Sequence, residues 1–264
     1  MCGHCGCGQP ELEHEHEHEH VHADGTRHSH PGHHDHEHAH ATTIVELNTR
    51  ILAKNDALAA RNRAWFAGRE ILAINLVSAP GAGKTTLLER TIRDLDGQTN
   101  ICVLEGDQAT ALDSDRIRAA GAPVVQVNTG TGCHLEADQV ARGLNELRPP
   151  ARSIVMIENV GNLVCPALFD LGERAKVVLL SVTEGDDKPL KYPHMFRAAT
   201  LMLLNKIDLL PHVDFDVERV LACAREVNPD MSVLRLSART GEGMTAWYGW
   251  LQREAKEASE AAFV

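Results

Sequence analysis

Seven short apolar runs, at residues 71–77, 101–104, 124–127, 154–157, 177–182, 201–204 and 233–236, alternate with longer segments across most of the 264-residue chain. This pattern constrains the fold more than any other feature. A run apolar at nearly every position has no face to give to water, so it suits a strand covered on both sides, as in a parallel sheet. Helical spacing of apolar residues marks 85–95, 135–147, 217–227 and 244–260 as helices between the runs. The alternation predicts an α/β domain over residues 69–264, with a doubly wound, mainly parallel sheet flanked by helices.

Directly after the first run stands Ser78-Ala79-Pro80-Gly81-Ala82-Gly83-Lys84-Thr85-Thr86. This is a phosphate loop with Ser78 in place of the usual first glycine. Gly81 and Gly83 let the backbone turn tightly, and Ala82 and its neighbours can aim N–H groups at phosphate oxygens. The helix that follows adds its positive end. Lys84 is expected to place its charge on the outer phosphates and the Thr85 hydroxyl to ligate Mg²⁺. The domain is therefore expected to be a P-loop nucleotide hydrolase.

The nucleotide base is addressed further along. Asn205-Lys206-Ile207-Asp208 follows the sixth run and resembles the guanine-specificity motif of GTPases. The Asp208 carboxylate can accept from guanine N1–H and the exocyclic amine together, a donor pair that adenine lacks. Asn205 is expected to brace the pocket and Lys206 to lie along the base. Ser237-Ala238 follows the last run, where the Ala238 N–H is expected to meet guanine O6. Asp107 and Glu158 follow the second and fourth runs, and both are candidates for holding Mg²⁺ or its water. The turn Glu158-Asn159-Val160-Gly161 resembles the switch sequence Asp-x-x-Gly, with the Gly161 N–H placed to sense the γ-phosphate. No arginine finger or water-positioning glutamine is legible, so slow hydrolysis is expected, with Lys84, Asp107 and Glu158 as the catalytic set.

Metal ligands form the second theme. Cys2-Gly3-His4-Cys5-Gly6-Cys7 offers three thiols within six residues, and thiolates suit Ni²⁺, Zn²⁺ and Cu⁺. Thirteen of the sixteen histidines lie in the first 40 residues, many alternating with glutamate. That tract offers many weak sites, and residues 1–41 carry no apolar periodicity, which predicts a disordered metal-binding tail. An amphipathic helix is expected over 42–68, opened by a Thr43–Glu46 capping box, with Ile44, Leu47, Ile51 and Leu58 on its apolar face. Inside the main domain, the adjacent pair Cys133-His134 and the nearby Cys165 supply two thiolates and an imidazole, a third candidate site for Ni²⁺ or Zn²⁺. Cys102 and Cys223 fall within a strand and a helix and read as structural, and His194 and His212 as loop residues.

The formal charge of −11 is concentrated at the front, where residues 1–40 hold eight carboxylates and one arginine. No basic surplus favours nucleic acid. No apolar run is long enough to cross a bilayer, and no secretory signal opens the chain, so a cytoplasmic location is expected.

Together these motifs resemble the HypB family, the hydrogenase nickel-incorporation GTPases. The resemblance rests on the Cys-x-x-Cys-Gly-Cys start, the phosphate loop, Glu105-Gly106-Asp107, Cys133-His134-Leu135, the stretch from Glu158 to Pro166, and Asn205-Lys206-Ile207-Asp208. Ala79 and Ala82 stand where serines are common in that family. The resemblance implies a GTP-binding homodimer that delivers nickel to the large subunit of nickel–iron hydrogenase with a partner maturation protein. Cys133, His134 and Cys165 would lie near the subunit interface, Cys2, Cys5 and Cys7 would form a tight nickel site, and the His tract would act as a reservoir. Two alternatives remain: a urease-type nickel GTPase, and a nickel storage protein. The urease-type family uses Cys-Pro-His, whereas here Cys165-Pro166 is followed by Ala167.

Overall fold

The computed structural model describes residues 19–21, 27–29, 37–107, 112–130 and 132–261. The chain divides into two compact units, Met1–Leu52 and Ala53–Val264. In the first, β1 (Glu19–Val21) pairs antiparallel with β2 (Arg27–Ser29). Helix α1 runs Glu37–Ala67, starting before residue 42 and passing through Thr43 without a cap there. No glycine or proline interrupts residues 36–67, so nothing in the backbone stops the helix from extending toward the His tract. Cys2, Cys5 and Cys7 lie outside the described residues.

The second unit is built on seven parallel strands: β3 (Leu72–Ser78), β4 (Ile101–Asp107), β5 (Val124–Asn128), β6 (Ile154–Glu158), β7 (Ala175–Ser181), β8 (Leu201–Asn205) and β9 (Ser232–Arg235). Their order is β5-β4-β6-β3-β7-β8-β9. This is the fold of a P-loop nucleotide hydrolase. Helices α2 (Lys84–Asp94), α3 (Leu112–Ala120), α4 (Ala137–Leu147), α5 (Lys188–Lys191), α6 (Pro193–Ala198), α7 (Val217–Val227) and α8 (Met244–Ala261) connect or follow the strands.

Burial explains the apolar runs. Leu72, Ile74 and Leu76 of β3 join one core with Leu87, Leu88 and Ile92 of α2, Ile117 of α3 and Trp247 and Leu251 of α8. Ala73 faces a different cluster, with Phe66 of α1 and Val140 and Leu144 of α4. Val178, Leu180, Met202 and Leu204 meet α6 and α7 in a third. The central strands are buried along their whole length, whereas the edge strands β5 and β9 are only partly covered.

Three helices went unread in the sequence. α3 is short, polar and contributes chiefly Ile117 to the core, so its apolar period is too sparse to detect. α5 and α6 occupy four and six residues around two prolines. His194 lies in α6 and His212 at the end of a 3₁₀ turn, Ile207–His212, rather than in plain loops. The buried stripe of α1 also differs from the expected one. Ile51 and Leu58 are half-covered, while Asn55, Ala59, Asn62 and Phe66 are buried at helical spacing. The Asn55 amide donates to the Asp170 carbonyl and its oxygen accepts from Ala137 N–H; Asn62 donates to the Ala137 and Leu171 carbonyls.

Candidate functional site

The strand order makes the site. β3 lies between β6 and β7, and the chain leaves it in one direction toward β4 and crosses back from β6 to β7. Ligands of open α/β sheets bind beyond the carboxyl ends of the strands at such a reversal. There a cavity of about 680 Å³ opens, lined by Gly81, Gly83, Lys84, Thr85, Glu158 and Gly161 among others. Its size suits a nucleotide's phosphates and metal.

Gly81 and Gly83 both adopt left-handed backbone angles, φ 76° and 103°. At Gly83 a Cβ would also stand 2.7 Å from Asn205 Nδ2, so any side chain there is excluded twice over. α2 begins at Lys84, whose ammonium donates to Ser78 Oγ at 2.9 Å. The serine at the loop's first position therefore holds the lysine over the loop. Burial pushes the Lys84 pKa down, and the Glu158, Asp113 and Glu184 carboxylates oppose that shift.

Thr85 and Glu158 are brought together from 73 positions apart, with Thr85 Oγ1 donating to Glu158 Oε1 at 2.9 Å. Glu158 Oε2 is buried with no hydrogen-bond partner among the described residues. Burial raises the Glu158 pKa to about 7, against the pull of Lys84 and the Thr85 hydrogen bond. A hydroxyl and an orphaned buried carboxylate oxygen form an oxygen donor set that fits Mg²⁺. β4 ends at Asp107, whose carboxylate lies outside what the structure describes.

At the base end, Asn205 is a brace between loops. Its amide donates to the Ala82 carbonyl at 2.9 Å and its oxygen accepts from Ala238 N–H at 3.1 Å. The Ala238 N–H, expected to meet guanine O6, is thus engaged by Asn205. Ser237 is fully buried, and its hydroxyl accepts from Thr240 N–H. Lys206 takes a left-handed backbone and donates to the Gly81 carbonyl at 2.7 Å, lying over the phosphate loop. Asp208, in the turn after β8, has one buried oxygen, Oδ1, without a hydrogen-bond partner among the described residues. Thr86, next in α2 after Thr85, lines the cavity as well.

The three internal metal-ligand candidates converge. Cys133 Sγ lies 2.9 Å from Cys165 Sγ and 3.6 Å from His134 Nδ1, and ligand atoms of all three residues fall within 4.8 Å of one another. Cys165 opens a one-turn 3₁₀ helix, Cys165–Ala167, and is buried. Burial lowers the His134 pKa, which favours the neutral imidazole that binds metals. Its ring packs against Phe169 at 3.9 Å between centroids. Cys133, Val160, Gly161 and Asn162 line the same cavity as Lys84 and Thr85, so thiol and phosphate loop share one space. A Cβ on Gly161 would press on Pro80 at 3.1–3.2 Å, which shows how closely the switch turn approaches the phosphate loop.

Several contributors were not legible in the sequence. Asn159, beside Glu158, accepts from Leu135 N–H and donates to Asn75, which donates to Glu173. Glu173 faces Lys176 at 3.6 Å, and Lys176 donates to the Pro166 carbonyl. This buried chain links both halves of the Cys/His cluster to the strand end that carries Glu158. Asn75 and Lys176, polar residues inside otherwise apolar strands, are the signal that could have revealed it. Asp113 and Arg116, on the unread α3, also line the cavity.

Residues 72–235 match the family described as the CobW/HypB/UreG nucleotide-binding domain. The chain is 57% identical over 211 residues to the hydrogenase maturation factor HypB of Escherichia coli K12, covering 80% of this chain and 73% of that protein. It is 36% identical over 217 residues to the hydrogenase/urease maturation factor HypB of Helicobacter pylori, covering 81% and 89%. Among solved structures, HypB from Archaeoglobus fulgidus superposes with a TM-score of 0.72 at 38% identity, covering 77% of this chain and 99% of that one. HypB from Helicobacter pylori in complex with nickel superposes with a TM-score of 0.72 at 36% identity, covering 77% and 96%. With a parallel sheet carrying a phosphate loop at its reversal and a Cys/His cluster opening onto the same cavity, this chain belongs to the HypB family of hydrogenase maturation factors.

Proposed function

We infer that the protein is a GTP-hydrolysing nickel metallochaperone that inserts nickel into the large subunit of nickel–iron hydrogenase. The observation that carries this reading is the shared cavity, with Cys133 on one wall and Lys84, Thr85 and Glu158 on another. Nickel is the cargo, and the soft thiolate–imidazole set also suits Zn²⁺. The name of the nickel-bound relative supports nickel as the ion carried.

In the mechanism, Lys84 and the N–H groups of the phosphate loop bind and orient the GTP phosphates. Thr85 and Glu158 would hold Mg²⁺, which supplies charge neutralisation along the phosphates. Asp107 is assigned the positioning of water at the end of β4. Asp208 selects guanine through its unpartnered oxygen, and Asn205, with Lys206, Ser237 and Ala238, holds the base loops in register. Gly161 reads the γ-phosphate. A change in its turn is passed along Val164 to Cys165 and through Asn159 to Leu135, next to His134. Nucleotide state thereby sets how tightly the cluster holds its metal, and the coupling must be reciprocal.

The remaining parts of the reading follow the family. Cys2, Cys5 and Cys7 form a tight nickel site and the His tract of residues 1–41 a reservoir. The protein works in the cytoplasm as a homodimer assembled on GTP or metal binding, with a partner nickel maturation protein. The deciding experiment titrates the reduced protein with Ni²⁺ and with Zn²⁺ in the presence of GDP or a non-hydrolysable GTP analogue. Affinities that differ between the nucleotides support coupled delivery. Affinities indifferent to nucleotide, together with normal delivery by Lys84→Ala, would move the reading to nickel storage.

A further inference from the structure

The sequence offers Lys84 as the cation for a triphosphate, and the folded cavity holds a second. Among the described residues that line it, Lys84 and Arg116 are the two cations. Arg116 stands on α3, outside the motifs that the sequence assigned to the nucleotide. Its Nη2 lies 2.7 Å from Glu89 Oε2 and 3.4 Å from Thr86 Oγ1, and its Nη1 lies 3.1 Å from Asp113 Oδ1. Glu89 and Thr86 both belong to α2, the helix that the phosphate loop feeds. The guanidinium is thus held at the shoulder of the loop.

Two arguments favour a role toward ligand over a purely structural one. The Arg116 side chain is 45% exposed on the cavity wall, so it is open to a ligand, and its pair with the equally open Asp113 contributes little stability, while the better-covered Glu89 anchors it. A guanidinium is planar, permanently charged and shaped to bind phosphate oxygens in pairs. A triphosphate with one Mg²⁺ keeps net negative charge that Lys84 offsets only in part.

We propose that Arg116 is a phosphate-contacting arginine supplied within the same chain, which binds the terminal phosphate of a nucleoside triphosphate and so distinguishes it from the diphosphate. This rests on the nucleotide reading above. Glu89 and Asp113 hold the two terminal nitrogens at the cavity wall until the phosphate arrives and shares those contacts. In hydrolysis the water oxygen bonds to the γ-phosphorus while the bond to the bridging oxygen breaks. The electron pair leaves with GDP, and both water protons end on inorganic phosphate as dihydrogen phosphate, from which one is released to solvent. Arg116 stabilises the negative charge spread over the departing phosphoryl oxygens.

The test compares full-length wild type, Arg116→Ala and Arg116→Lys, using fluorescent GDP, a fluorescent non-hydrolysable GTP analogue and single-turnover GTP hydrolysis, with thermal melting as a check on folding. Arg116→Ala is expected to leave GDP affinity nearly unchanged and to weaken the analogue by about 10- to 100-fold. Hydrolysis is expected to fall by about 10³-fold. Arg116→Lys keeps the charge and should recover part of the analogue affinity but little of the rate, and it carries the test if the alanine variant unfolds. An analogue-to-GDP affinity ratio equal to wild type in both variants overturns the assignment, as does equal weakening of both nucleotides. A wild-type protein that binds neither nucleotide overturns the guanine-nucleotide reading itself, and this one with it.

Discussion

Replacing Glu158 with Gln should stabilise the nucleotide-free protein at neutral and alkaline pH while damaging Mg²⁺-dependent binding. Burial raises the Glu158 pKa from the ordinary 4.5 to about 7. Below pH 4.5 the folded and unfolded chains both carry the proton, and pH has no leverage through this group. Between 4.5 and 7 the unfolded chain releases it and the folded chain keeps it, so the stability of the folded state falls as pH rises. Above 7 the carboxylate is charged in its buried place and the loss is complete. At about 1.4 kcal/mol per tenfold change in proton affinity, the total comes to about 3 kcal/mol. Glutamine retains the oxygen that accepts from Thr85 at this site and has no charge to bury. The assay is urea unfolding of wild type and Glu158→Gln at pH 5 and pH 8, with reductant and a chelator present. The advantage of the variant should grow by about 2.5 kcal/mol between the two, since a part of the penalty is already present at pH 5. A difference that stays constant with pH would refute the reasoning, because it would mean that Glu158 carries no burial penalty. Calorimetry with GTP and Mg²⁺ should show the opposite ranking, with the variant binding less tightly.

Asp208→Asn should lower the preference for GTP over ATP by about 10- to 100-fold, the range for losing hydrogen bonds to a charged acceptor, and competition binding would expose an unchanged ratio. Asn62→Ala should cost about 1–3 kcal/mol in chemical unfolding, because its buried amide donates to the carbonyls of Ala137 and Leu171. A loss below about 0.5 kcal/mol would mean that α1 does not fasten those two segments.

The two halves of the site differed in how far the sequence exposed them. The phosphate loop and the Asn205–Asp208 turn were legible because each is one continuous stretch whose local geometry does the chemistry. Glycine at residues 81 and 83 permits the left-handed angles that the loop uses. Cys133 and His134 were suggestive as neighbours. The approach of Cys165 to 2.9 Å joins residues 32 positions apart and rests on a strand crossing. The buried Asn55 and Asn62 hid among polar residues of a long helix, because only their distant carbonyl partners distinguish them from solvent-facing asparagines.

From the amino-acid order alone came the class of fold, the phosphate-loop motif, the acid proposed to select the base and the inventory of soft ligands. Each depends on backbone preference or burial pattern within a few residues. Folding decided which strands stand beside one another, and through that order it set Glu158 against Thr85 and opened the Cys/His cluster onto the nucleotide cavity. It also delivered Arg116 to the phosphate loop from a helix too polar to read. Those juxtapositions join residues many positions apart, and only packing of the whole sheet and its helices creates them.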